Sequence, residues 1–184
     1  MKTILLCFCL SFMACVSSNK TTTIPSYTFP QDWLGSYEGE LEMWNAEHGK
    51  LQTCPMKVQI TATDTLGCYH WHSQIKFNGK NIVKNYNLIH HDSMPLHHYL
   101  MDENNGIYLD RILLDDSFYD YFEVNGLGLY GITRRVSGGI LFEIASFKRS
   151  SASSSKYEGQ DFKVDSVVSY KVLNTQKVLL QAIK

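Results

Sequence analysis

Five turn signals set at hairpin spacing constrain this chain more than any other feature of it. His48-Gly49, Asn78-Gly79, Asn104-Asn105-Gly106, Asn125-Gly126 and Gly138-Gly139 can each take the positive φ that tight hairpins demand. They separate runs of about eight to eleven residues rich in Val, Ile, Thr and aromatic side chains, the spacing of consecutive antiparallel strands. Strands are expected at 35–45, 51–62, 67–77, 81–90, 97–103, 106–114, 117–124, 127–136, 139–149, 164–173 and 176–183. Sustained helical periodicity is absent, and Pro30 to Leu34 is expected to form only a short turn before the first strand. The low-complexity stretch SSASSSKYEGQ at 150–160 reads as a long mobile loop. No G-x-S-x-G elbow surrounds its serines, so none is placed as a nucleophile.

The chain has 184 residues, 44% of them hydrophobic, enough for one full core. Ten or eleven strands in an open sheet would expose unpaired N–H and C=O groups along both edges, and closure into an up-and-down barrel removes those edges. The expected fold is therefore all-β: an antiparallel barrel of about ten strands over 33–184. The segment Trp33-Leu34-Gly35-Ser36-Tyr37-Glu38-Gly39 resembles the opening of calycin barrels such as lipocalins and fatty-acid-binding proteins. That resemblance implies a lipocalin-like closed barrel that carries a small apolar ligand. Tyr37 stands where lipocalins have Trp, and Ser169-Tyr170-Lys171 replaces the Arg-x-Tyr carboxylate clamp, so the resemblance bears on the barrel more than on a fatty-acid ligand. A membrane-spanning barrel is the alternative, but Glu38, Glu40 and Glu42 share one face of the first strand, which lipid would not tolerate.

The N-terminus MKTILLCFCLSFMAC carries Lys2, an apolar run from Ile4 to Met13, and then Ala14 and Cys15. The run is about ten residues, short of the ~20 a membrane helix needs, and reads as an export signal. Phe12-Met13-Ala14-Cys15 resembles the lipobox of bacterial lipoproteins, although Phe12 and Met13 depart from its usual Leu and small residue. The resemblance implies removal of residues 1–14, acylation of Cys15 and anchoring to a membrane of the cell envelope. Several acyl chains give stable anchoring without a span. Loss of Lys2 would take the formal net charge from -1 to -2. Residues 15–32, polar and carrying Pro25 and Pro30, are expected to act as a tether. The alternative is an ordinary signal that leaves Cys15 as a free thiol.

With 17 Lys and Arg against 18 Asp and Glu and no basic face, nucleic acid is not an expected partner. Alternation along the early strands assigns the inward face. Tyr37, Leu41 and Met43 oppose the three glutamates; Cys54, Met56, Val58 and Ile60 oppose Thr53, Lys57, Gln59 and Thr61; Tyr69, Trp71, Ile75 and Phe77 oppose Cys68, His70, His72, Gln74 and Lys76. The candidate ligand lining is Tyr37, Met43, Met56, Trp71, Phe77, Tyr86 and Tyr99. Phe118 and Phe122 against Tyr119 and Tyr121 put aromatics on both faces, which calls for a loop, a partner or the membrane to cover part of the outer wall.

Export favours paired thiols, yet Cys54 and Cys68 on one hairpin turning near Asp64-Thr65-Leu66 lie seven or eight residues apart along the strands, on the order of 25 Å. A bridge needs Cα atoms within ~7 Å, so two free, buried thiols are expected. His70 and His72 alternate on one strand face with Cys68, and His90, His91, His97 and His98 cluster around 92–96. A solvated face and a polar loop are preferred here over a zinc, iron or haem site. Calcium fails at Asp102, because an EF-hand loop would need Gly at Ile107 and Glu at Leu113. Asp115-Asp116 falls in a turn. Gly126, Gly128 and Gly131 have the G-x-G-x-x-G spacing of a dinucleotide site, but Ile132 to Val136 continues as a strand where that site requires a helix. Gly128 and Gly131 instead predict a sharply coiled strand, with space for Phe118, Phe142 or a ligand. No cofactor and no catalytic constellation are implied. A ligand-binding lipoprotein is expected first, an envelope interaction lipoprotein second, and a histidine-based metal or haem protein third.

Overall fold

The computed structural model describes residues 26–159 and 161–183; the expected signal, Cys15 and most of the tether lie outside them. Twelve strands follow in order: β1 (Gly35–Asn45), β2 (Gly49–Ala62), β3 (Cys68–Phe77), β4 (Lys80–Ile89), β5 (His98–Asp102), β6 (Tyr108–Leu114), β7 (Ser117–Val124), β8 (Leu127–Val136), β9 (Gly139–Lys148), β10 (Ser153–Glu158), β11 (Lys163–Ser169) and β12 (Val172–Ile183). β1 to β9 pair each with the next, and β12 joins β9 to β1, so ten antiparallel strands close into a barrel. The expected all-β barrel is the fold observed.

The turns that predicted the hairpins do the bending. Asn78-Gly79 and Asn125-Gly126 take φ of 49° and 75°, and 52° and 78°, which are left-handed values at both central positions, as two-residue hairpins require. In the turn after β2, Ala62 pairs with Tyr69 and the Thr63 N–H donates to the Cys68 carbonyl. The register therefore lies one to two residues from the expected facing of Cys68 with Thr61 or Ala62. Both cysteines are free; Cys54 is buried and Cys68 half-buried rather than fully enclosed.

The region between β9 and β12 differs most from expectation. Residues 150–160, read as a loop, contain β10, which pairs with β11 in a separate two-stranded sheet. The strand expected at 164–173 is thus not a barrel stave. β12 begins at Val172, ahead of the expected 176, and pairs along one side with β9 and along the other with β1. At Gly39 the Leu179 backbone of β12 approaches so closely that a Cβ would collide with it, which fixes glycine at this seam.

Inward and outward faces alternate as the period-two pattern requires. Tyr37, Leu41, Cys54, Met56, Val58, Ile60 and Trp71 are buried, while Glu38 and Glu40 face solvent. Strand direction places the β2–β3, β4–β5, β6–β7 and β8–β9 turns at one end and the β3–β4, β5–β6, β7–β8 and β9–β12 connections at the other.

The first of these ends is stoppered. A turn at residues 29–33, held by the Trp33 N–H to the Pro30 carbonyl at 2.9 Å, inserts Trp33 and Phe29 into the barrel. Phe29, from the stretch expected to be tether alone, packs edge-on against Trp33, Tyr69, Tyr99 and Phe118, with centroids 4.8 to 6.0 Å apart. Trp33 and Phe118 are fully enclosed. Arg135 ties this segment to the barrel: its Nε donates to the Asp32 carbonyl at 2.6 Å and its guanidinium lies 4.8 Å from the Tyr27 ring.

Candidate functional site

Between the aromatic stopper and the far rim the barrel holds a cavity of about 650 Å³. Its wall is mainly apolar: Met56, Ile75, Met101, Leu109, Leu129, Phe142 and Ile144 contribute from six strands. The rim carries Lys84, Tyr86, Glu103, Glu123, Asn174 and Gln176. Exposed Ile107 and Val124 mark where the space meets solvent, at the end opposite the stopper. The volume lies within the ~300–1,000 Å³ of small-molecule pockets, whose usual lining is apolar with a few polar groups.

Those few polar groups form the floor. Arg111 on β6 is 5% exposed, and its Nε donates to Asp120 Oδ1 on β7 while Nη2 donates to Thr133 Oγ1 on β8 at 2.9 Å. Its guanidinium lies 5.2 Å from the Trp71 ring centroid and 5.0 Å from that of Phe118. The charge is thus held by a carboxylate, a hydroxyl and two ring faces, which together replace the water it loses. Asp120 fits because β8 has Gly131 opposite it, and the Asp120 Oδ2 atom occupies the place a Cβ there would take. Gly128 likewise makes way for the Phe147 ring on the outer wall. The spaces over these glycines therefore belong to Asp120 and Phe147, in place of the expected Phe118, Phe142 or ligand.

Of the seven expected lining residues, Met56, Trp71 and Tyr86 border the cavity. Tyr37 and Tyr99 belong to the closed end, with the Tyr37 hydroxyl donating to the Trp33 carbonyl at 2.8 Å. Met43 and Phe77 are half-buried against the core and do not border the cavity. Burial raises the Tyr37, Tyr86 and Tyr99 hydroxyls above the usual tyrosine value, and the nearby Arg135 partly opposes this at Tyr37. The reading of single residues missed Arg111 and Asp120. Their signal was present as charged residues on an apolar parity, Leu109-x-Arg111-x-Leu113 and Phe118-x-Asp120-x-Phe122.

The histidines lie elsewhere. His70 and His72 sit on the outer wall, where His70 Nδ1 donates to Asn87 Oδ1 at 2.8 Å and His72 Nδ1 to Asn85 Oδ1, beside a polar groove with Gln59, Thr61 and Asn104. At the stoppered end His98 Nε2 meets Asp110 Oδ1 at 2.9 Å and the His90 ring lies tilted against Tyr99 with centroids 5.0 Å apart. Among the described residues no three or more His, Cys, Asp or Glu gather as a metal cluster.

No protein-family model matches the chain, and no curated protein matches it. Among solved structures it is similar to a protein of unknown function of the DUF3598 family from Nostoc punctiforme. The TM-score is 0.57 and the identity 10%, over 86% of this chain and 50% of that one. The chain thus spans half the length of that structure, and the likeness is one of fold.

Proposed function

We propose that this protein is an exported, lipid-anchored barrel that carries a small apolar or amphipathic molecule in its lumen. The observation that carries this reading is the cavity: about 650 Å³, mostly apolar, open at one end and sealed at the other by an aromatic stopper. A side-chain-filled barrel would leave no such volume. The anchor rests on the N-terminal apolar run and Cys15. Native mass spectrometry of gently purified protein tests the cargo, with a bound apolar or amphipathic molecule expected. Protein that arrives empty and takes up no Nile red would overturn it. Radiolabelled palmitate, incorporated by the intact chain and lost in Cys15→Ser, tests the anchor.

A second reading, an envelope interaction lipoprotein, is favoured by the outer wall. There Tyr121 stacks on Phe147 at 6.0 Å, Phe147 meets Tyr170 at a tilt with centroids 5.1 Å apart, and both tyrosines are exposed. Cross-linking from position 121 to one envelope protein, without any lumenal cargo, would favour it.

A further inference from the structure

We infer that the lumen selects molecules with an uncharged, hydrogen-bonding head group over the corresponding carboxylates, an inference that rests on the ligand-carrying reading above. Arg111 would attract an anion if its charge were free, but Asp120 already sits on Nε with its own side chain 12% exposed. A ligand carboxylate at the floor would place a second anion beside Asp120 in a site from which water is largely excluded, and like charges at such range disfavour one another. Nor does the rest of the lining offer a surplus cation. Lys84 and Arg111 stand against Glu103, Asp120 and Glu123, which sums to -1.

What the floor does offer is one donor and one acceptor together. Two guanidinium nitrogens are committed, Nε to Asp120 and Nη2 to Thr133, while Nη1 has no acceptor among the described residues. It is also not among the buried side-chain nitrogens and oxygens left without a partner, and Arg111 borders the cavity. Asp120 keeps Oδ2 free of hydrogen bonds among the described residues. A primary amide presents a carbonyl oxygen to Nη1 and an N–H to Oδ2, and an alcohol can serve either. A carboxylate offers only acceptors, which leaves Oδ2 opposed by another oxygen. The apolar chain then runs up the wall toward the rim.

The experiment is displacement of Nile red, a neutral probe, by dodecanamide, dodecanol and dodecanoate at neutral pH from the intact protein. Dodecanamide and dodecanol are expected to displace it at concentrations about tenfold or more below dodecanoate, the scale of one unfavourable like-charge contact. In Asp120→Asn the guanidinium charge is no longer neutralised, and dodecanoate is expected to become the strongest of the three. Should that variant not fold, the wild-type order decides alone. Dodecanoate equal to or stronger than the amide on the wild type overturns this inference and leaves the carrier reading standing. A wild-type protein that binds no Nile red overturns both.

Discussion

The Asp120 carboxylate occupies the volume that any side chain at residue 131 would need, so the ion pair under the cavity depends on a glycine one strand away. The first prediction follows from this. Gly131→Ala pushes Asp120 from Arg111 and leaves a buried guanidinium without its carboxylate, a loss of about 3 kcal/mol or more. Urea denaturation measures it. Gly126→Ala, in an exposed turn with open space around it, serves as a comparison whose only cost is its positive φ. An equal loss for the two would contradict the dependence.

Phe29 tests the stopper. Its ring touches four aromatic side chains, and Phe29→Ala removes all four contacts at once. About 2–4 kcal/mol of stability is expected to go with them, read by thermal or urea unfolding. A change within error would mean that residues before Trp33 contribute no packing.

Alkaline pH should weaken the fold through its enclosed tyrosines. Burial raises Tyr37, Tyr69, Tyr86 and Tyr99 above the ordinary tyrosine value, so the folded state holds these protons more tightly than the unfolded chain. Their contribution is fully present below the unfolded value, and is lost as pH climbs through the raised folded values. Stability is expected to hold to about pH 10 and fall above it. Absorbance of tyrosinate should show a late-titrating set that vanishes in denaturant.

Thiol labelling distinguishes the two described cysteines. Cys54 is 3% exposed and burial pushes its thiol up, so it holds little thiolate and is shielded from reagent. Peptide mapping after brief alkylation of folded protein is expected to find Cys54 unmodified, and modified once urea is added. A Cys54–Cys68 disulfide in folded protein would contradict the hairpin they sit on.

The barrel was legible because its information is local. Asn-Gly pairs, alternation in MKVQI and the Trp33 opening each act within a few residues, and each appears where expected. β10 was not legible because all six of its residues are exposed, which leaves a serine-rich strand with no apolar parity to read. The site was half legible. Met56, Trp71 and Tyr86 follow from facing inward, but facing inward does not say how far along the axis a side chain lies, and that distance separates the cavity from Tyr37 and Tyr99 in the stopper. Arg111, Asp120 and Thr133 meet across three consecutive strands, Arg111 directly opposite Asp120, and that register is not given by the parity of any one strand.

The seam between β1 and β12 joins the two most distant staves in the chain. Each other neighbouring pair in the barrel is linked by a turn, apart from β9 and β12, which are separated by the β10–β11 excursion. Loop closure over such a span is the slow kind of contact to form. During synthesis the staves β1 to β9 can zip in order, but the cylinder stays a curled sheet with β1 as a bare edge until β12 emerges. That edge is the state in which this protein is most exposed to pairing with the wrong strand, and the three glutamates along β1 are well placed to keep strangers away.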